Sequence, residues 1–464
     1  MNTHRARRVL VIGLDCAAPE FIFGDAAFPL PHLHSLMAQG LWGRMRSCDP
    51  PITVPAWSVM TSGVTPGELG IYGFRNRADH GYGTMTMATG EQIRVPRLWD
   101  IASRHGNESI VIGVPQTYPP KPLRGHLIAD FLTPDTATDY TYPKRLKTEL
   151  ESAVGEYVLD VRDYRTDEKD SLLKQLHRLM QNRFDVAEYM AAEKPWDFFM
   201  MVEIGLDRLH HGFWRHCDPS HPKHDANSPF RNAFRDYYVA LDERIGRLLA
   251  LADDDTTVLV VSDHGARAML GGFCMNEWLR REGYLILKQD LTEPTPFSTE
   301  LVDWSRTTAW SEGGYYARVF INRAGREPQG IVQDDAYESL RDELRARLTG
   351  LRNAQGEPMR NQAHRPEDLY PRVNGIAPDL LVYFGNLAYR SIGTLGVSSL
   401  YTDENDTGPD DANHDFDGVC IVRAPGVAPR GEQHAISILD IAPTVLATMG
   451  INSANPLCGR ILTQ

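Results

Sequence analysis

Short unbroken apolar runs recur along the chain at Val9–Leu14, Ser109–Val114, Leu127–Phe131, Asp197–Val202, Thr256–Val261, Leu380–Phe384 and Val419–Val422. Runs of this length, flanked by polar turns, suit strands buried on both faces. Segments with helical spacing lie between them, at Leu33–Gln39, Ala56–Thr61, Arg97–Arg104, Leu172–Ala192, Phe230–Leu251, Tyr337–Leu348 and Ser437–Met449. That alternation predicts an α/β domain with a largely parallel central sheet and helices on both faces.

One stretch departs from the pattern. From Leu285 to Arg372 the chain is polar and rich in Arg and Glu, and it carries Trp304, Trp310 and a Gly313-Gly314-Tyr315-Tyr316 turn. We expect a core of residues 1–284 and 373–464 interrupted by an insertion, or cap, over residues 285–372. Pro115–Pro122 and the Asp-rich Thr402–Asn413 read as loops on the same body. At 464 residues the chain exceeds what a single hydrophobic core usually organises, which agrees with a core plus an insertion.

Charge narrows the function. With 48 Lys and Arg against 61 Asp and Glu, the formal charge of −13 argues against a general nucleic-acid surface. Val9–Leu14 is ended by Asp15, too soon for a signal sequence, and no later stretch has the apolar length of a membrane span. Six cysteines (Cys16, Cys48, Cys217, Cys274, Cys420, Cys458) are scattered without a CxxC pair. Neither a disulfide framework nor a thiolate metal knuckle is indicated, and the expectation is a soluble cytoplasmic protein with no membrane partner.

Three aspartates share one context: Asp15 follows the first apolar run, Asp207 lies just beyond Phe198–Val202, and Asp263 follows Val258–Ser262. Ligands of open α/β sheets gather beyond the carboxyl ends of the strands, so these carboxylates can converge there. A single Asp is as often a turn former or a helix cap. Histidines accompany two of the three. Ser262-Asp263-His264-Gly265 sets a carboxylate beside an imidazole, and Asp207-Arg-Leu-His-His211 spaces the two so that they share one helix face. His210 competes with His211, geometry favouring the latter only modestly. Oxygen and nitrogen donors without thiolate suit zinc, with manganese or iron as substitutes. In Pro50-Pro-Ile-Thr53-Val-Pro55, Pro55 predicts a helix beginning at about Thr53. A threonine there either caps the helix or faces an anion held at its positive end.

Asp15 after the first strand, Thr53-x-Pro55 leading through Thr61-Ser-Gly63 to Pro66-Gly-Glu-Leu-Gly-Ile71, then Asp207-xxx-His211, Ser262-Asp263-His264-Gly265 and Asn413-His414 resemble, in that order, the type I phosphodiesterase/nucleotide pyrophosphatase branch of the alkaline phosphatase superfamily. Asn276-Glu-Trp-Leu279, Ile321-Asn-Arg-Ala-Gly-Arg326 and Asp440-Ile-Ala-Pro-Thr-Val-Leu446 extend the likeness over nearly the whole chain. The resemblance implies an alkaline phosphatase-like three-layer sandwich and two divalent metal ions. It assigns Asp207, His211 and His414 to one ion, and Asp15, Asp263, His264 and the Thr53 oxygen to the other. His414 is placed by the resemblance alone; His216, His221 and His224, in the loop expected after Asp207, read as solvated.

The implied chemistry is attack on phosphorus by Thr53, with hydrolysis of a phosphothreonine, on a nucleotide or similar small phosphorylated metabolite. The chain departs from the pattern at Ala56, where nucleotide pyrophosphatases usually carry a phosphate-binding Asn. Sulfatases need Cys or Ser at the position of Thr53 and Arg at that of Trp57, so sulfate esters are disfavoured. No arginine comparable to that of the classical phosphatases is evident beside Thr53, which suits a diester better than a doubly charged monoester. Two other readings are a phosphomutase akin to cofactor-independent phosphoglycerate mutase and a non-catalytic metal- or phosphate-binding protein. Trp304, Trp310, Tyr315 and Tyr316 are read either as a platform for a base or as the cap's own core.

Overall fold

The computed structural model describes residues 8–24, 27–83, 85–453 and 456–464, so most of the basic N-terminal segment lies outside the described residues. Its centre is a ten-stranded sheet, mostly parallel, in a mixed α/β fold. Across the sheet the order is Gly431–Glu432, Leu41–Arg46, Asp417–Arg423, Thr257–Val261, Val9–Leu14, Phe198–Glu203, Ser109–Ile112, Gly125–Ile128 and Thr141–Tyr142, with Ile436–Ser437 also pairing Leu41–Arg46. The five strands from Thr257–Val261 to Gly125–Ile128 are mutually parallel. Val9–Leu14 and Phe198–Glu203 are buried at every position, as their unbroken apolar composition requires of strands covered on both sides.

The helices follow the same logic. Lys169–Glu193, Gly205–Cys217 and Ala233–Leu249 pack on one another, while Thr53–Ser62 packs on Ile441–Thr448. Leu41–Arg46 escaped the reading of apolar runs because it alternates, with Leu41, Gly43 and Met45 buried and Arg44 exposed.

A second hydrophobic core gathers residues from Phe273 to Phe384 around a four-stranded antiparallel sheet ordered Ala309–Glu312, Ala317–Ile321, Leu380–Tyr383, Gln362–His364. The apolar run at Leu380–Phe384 forms a strand as expected, but in this smaller sheet, since its partners Ala317–Ile321 and Gln362–His364 flank it there. Among the described residues no helix is long and apolar enough to cross a membrane.

Candidate active site

Three neighbouring parallel strands set up the site. Val9–Leu14 lies between Thr257–Val261 and Phe198–Glu203, with Gly13 opposite Val261 and Leu14 opposite Glu203, so their carboxyl ends coincide. Asp15 and Asp263 leave two of those ends. The third continues through Glu203, whose carboxylate accepts from the Gly205 and Leu206 N–H groups at 2.8 and 3.2 Å. That bond pair satisfies the first amides of helix Gly205–Cys217, which presents Asp207 and His211 one turn apart. His414 arrives by a different route: Ala412–Asp415 pairs antiparallel with Gly265–Ala268, and His414 sits opposite Ala266, beside His264. Thr53 opens helix Thr53–Ser62, all of whose residues are buried.

The seven residues expected from the sequence therefore meet, each at most 2% exposed. Asp207 Oδ1 lies 3.3 Å from His211 Nε2 and 3.4 Å from His414 Nε2. In the neighbouring trio His264 Nε2 lies 3.1 Å from Asp263 Oδ2 and 3.9 Å from Asp15 Oδ1. Within each trio the donor atoms all lie within 4.8 Å of one another, close enough to share one cation. Thr53 Oγ1 is 3.2 Å from His264 Nε2. The helix cap is Ile52, with no side-chain hydrogen bond, so the Thr53 hydroxyl is turned to the cluster and does not cap.

The polar bookkeeping shows what the cluster lacks. Asp15 Oδ1, Asp207 Oδ1, Asp263 Oδ2, His211 Nε2 and His414 Nε2 are buried with no hydrogen-bond partner. Burial of unpaired polar atoms costs about 1–3 kcal/mol each, and metal coordination relieves it. Every imidazole is also pre-oriented: Nδ1 donates to the Gly265 carbonyl in His264, to the Pro51 carbonyl in His414 and to Asp410 in His211, at 3.0, 2.9 and 2.8 Å. With Nδ1 engaged in this way, Nε2 of each ring faces the cluster, the arrangement that metal-ligating histidines adopt. The residues present fit two divalent cations of the zinc, manganese or iron type.

Electrostatics agree. Burial raises the Asp15 carboxyl well above the usual range, and the charges of Asp263 and Asp207 raise it further. Asp263 is raised chiefly by burial. Burial also opposes the charged form of Asp207, but His211, His414 and Arg208 outweigh it and hold that carboxyl well below its ordinary value. For His211 burial opposes protonation, and Asp410 and Asp207 overcome it to bring the ring to about 10. Concentrated buried carboxylate of this kind is what bound cations neutralise.

Several other candidate side chains lie away from the cluster. His210 does not join Asp207: its ring packs against Phe234 and Trp214, its Nε2 lies 3.3 Å from the Tyr238 hydroxyl, and burial pushes it down to about 3. His216 belongs to the same helix, and His221 is buried, with Nε2 bonded to the Asp411 carbonyl at 3.1 Å, because the segment after the helix folds back on the Asp410–Asp411 loop. Trp304 and Trp310 are buried in the second hydrophobic core, where Trp304 stacks on Tyr82, and Tyr316 is buried in a smaller cluster with Ile52, Leu381, Tyr383 and Leu387. Tyr315 alone of the four reaches the cluster, stacked on His414 at 3.9 Å.

Sequence reasoning missed the residues that hold the others. Trp57 Nε1 donates to Asp15 Oδ2 at 2.6 Å, Arg208 donates to Asp207 Oδ2 at 2.6 Å, and Asp410 holds His211. Trp57, one helical turn from Thr53 on the same face, was legible in principle. Asp410, within a polar loop, carried no such signal.

The family model for type I phosphodiesterase/nucleotide pyrophosphatase matches residues 9–410. No curated protein matches the sequence. Among solved structures, human ectonucleotide pyrophosphatase/phosphodiesterase 5 is similar at 13% identity and a TM-score of 0.57, over 98% of this chain and 97% of that one. An inactive form of the murine counterpart in complex with AMP, also 13% identical, gives a TM-score of 0.56 over 98% and 97%. Phosphonoacetate hydrolase from Sinorhizobium meliloti in complex with phosphonoformate is 14% identical, with a TM-score of 0.57 over 96% of each chain. At such identities the likeness shows the fold.

Proposed function

This chain belongs to the type I phosphodiesterase/nucleotide pyrophosphatase family of phosphoric ester hydrolases, and on that premise we propose that it is a two-metal phosphodiesterase acting through a phosphothreonine at Thr53. The observation that carries the reading is the meeting of two orphaned donor trios with one inward-facing threonine hydroxyl. Asp207, His211 and His414 would hold one cation; Asp15, Asp263, His264 and the Thr53 oxygen the other. When bound, such ions lower the pKa of a neighbouring hydroxyl and neutralise charge on the phosphoryl group and the departing oxygen.

The chain's own contribution is positional. Thr53 is held on a rigid, fully buried helix, and its β-branch restricts the rotamer that aims Oγ1. The Thr53 hydroxyl gives its proton to water, Oγ1 forms a bond to phosphorus as the ester P–O bond opposite breaks, and the leaving oxygen takes up a proton from water. Water then cleaves the phosphothreonine, releasing the phosphorylated product and restoring the hydroxyl.

A diester or pyrophosphate substrate fits the distribution of positive charge. Arg208 is spent on Asp207 and Asp160, and Arg165 and Arg390 on Asp410, so these three guanidiniums around the Asp207 trio are each committed to a carboxylate. A singly charged phosphodiester needs less positive charge than a dianionic monoester. AMP and phosphonoformate in two of the similar structures support a nucleotide or comparable small phosphorylated metabolite as substrate. Residues 285–372 act as the cap that brings Tyr315 over the site. Six free cysteines support a cytoplasmic location.

The test is turnover of bis-p-nitrophenyl phosphate and p-nitrophenyl phosphate by metal-loaded protein, beside chelated protein. Diester hydrolysis abolished by chelation supports the proposal. Transfer between hydroxyls of one substrate without release would replace it by a mutase, and metal retention without turnover on a nucleotide panel by a binding protein.

A further inference from the structure

Asp410 is a buried anion with three cationic neighbours. Its carboxylate accepts from His211 Nδ1 at 2.8 Å, Arg165 Nε at 2.7 Å and Arg390 Nη2 at 2.9 Å, and its side chain is fully shielded from solvent. The strong preference of buried ion networks for a single geometry makes this a rigid mount for His211.

Arg390 links that mount to a second one. It lies on strand Tyr389–Ile392, where Ser391 exchanges backbone hydrogen bonds with Gly314 at 2.9 and 3.0 Å. Gly314 has φ of +123°, which a side chain would strain, and a Cβ at Gly313 would stand 2.6 Å from the Ser391 carbonyl, so the two glycines permit this close approach. The approach sets Tyr315 under the Arg390 guanidinium at 4.4 Å, while Tyr315 stacks on His414 at 3.9 Å. The Asn413 side chain fixes the same tyrosine by donating to its carbonyl at 3.2 Å. One arginine therefore bears on both histidines of the Asp207 trio: on His211 through Asp410, on His414 through Tyr315. Asp15 and Asp263 are held differently: Asp15 accepts from Trp57, Asp263 accepts from the Cys16 amide and, at its carbonyl, from Ser47, and the stack of His264 on His414 at 3.8 Å joins the two trios.

We propose that Asp410 and Arg390 are positioning residues chiefly for the Asp207–His211–His414 cation, tying the affinity of that ion to the seating of the Gly313–Tyr315 turn. The inference rests on the two-metal reading. Loss of the carboxylate leaves the buried Arg390 and the partly exposed Arg165 without their counter-charge and His211 Nδ1 with only the Ala412 carbonyl at 3.2 Å, and loss of the guanidinium removes one cationic partner of Asp410 and the cation over Tyr315 together.

The experiment is titration of metal-free protein with zinc, read by elemental analysis and calorimetry, for wild type, Asp410→Asn, Arg390→Met and Arg390→Lys. Wild type is expected to take up two ions. Asp410→Asn and Arg390→Met should bind one of them about 10–100-fold more weakly, the usual scale for an orienting partner, and weaken the other by clearly less. Arg390→Lys should fall between, because it keeps the charge and loses the planar stack. Adding Asp263→Asn to Asp410→Asn should abolish tight binding of both ions. Equal weakening of both ions, or two ions held as in wild type, overturns the inference while leaving the two-metal reading intact. Fewer than two ions in wild type overturns both. If Asp410→Asn fails to fold, the Arg390 variants decide.

Discussion

Replacing Thr53 by alanine separates chemistry from structure, because the hydroxyl caps nothing. The helix begins after Ile52 without a side-chain bond, and the one recorded partner of Oγ1 is His264 Nε2 at 3.2 Å. The variant therefore forfeits a buried methyl group, worth about 0.8 kcal/mol, and none of the about 1 kcal/mol that loss of an N-cap costs. Each metal trio keeps its three Asp and His donors, so both ions should remain. Turnover, in contrast, should fall by on the order of 10⁴-fold or more, the scale on which loss of a covalent nucleophile falls. That is about 5.4 kcal/mol of barrier, several times the stability change. Thr53→Ser keeps the hydroxyl and loses the methyl that limits its rotamers, and a loss of about tenfold is expected. The assay is steady-state hydrolysis of a nucleotide diester beside denaturant unfolding and metal content. A Thr53→Ala protein that folds, holds two ions and retains a tenth of wild-type turnover would exclude Thr53 as the nucleophile.

Asp207→Asn and His414→Ala should each lower metal content toward one ion per chain, measured by elemental analysis after dialysis; unchanged stoichiometry removes those residues from the site. Gly13→Ala would place a Cβ 2.5 Å from Trp57 Cη2 and 2.8 Å from Val202 Cγ2. Overpacking of that kind costs about 1–3 kcal/mol, and because Trp57 also holds Asp15, diester turnover should drop with stability; a variant as stable and active as wild type contradicts the packing account. His216 is pushed down to about 4, first by burial and then by the charges of Arg215 and Lys169. A depressed histidine favours the folded state above its unfolded value of about 6.5 and loses that contribution as pH falls toward 4. Stability of metal-loaded protein should therefore decline over that window with uptake of one proton, and His216→Gln should flatten the decline; identical pH profiles would exclude His216 as the source.

Much of the fold was legible because its strands are buried on both faces. Val9–Leu14 and Thr257–Val261 read as plain apolar runs and form where expected, within a residue. Leu41–Arg46 was not legible, since an alternating strand with Arg44 outward carries half the apolar signal. Leu380–Tyr383 was read as a strand but not assigned to the smaller sheet, because an apolar run does not name its partners. The proposed ligands on strand ends, Asp15 and Asp263, could be placed by the rule for parallel sheets. His414 could not: the antiparallel pairing of Ala412–Asp415 with Gly265–Ala268 brings it in, and that pairing spans a long stretch of chain with no local signature. The supports were hidden for the same reason. Asp410 and Arg390 mean nothing in their own segments and acquire a role only where a loop, a strand and a glycine turn meet.

The account stands on two cations lying between specific donors, with Thr53 Oγ1 beside one of them. Crystals grown with zinc or manganese and measured at the absorption edge of the ion test this directly. Two anomalous peaks are predicted, one among Asp207, His211 and His414, the other among Asp15, Asp263, His264 and Thr53 Oγ1. A single peak, or two with Thr53 turned away from both, would contradict it.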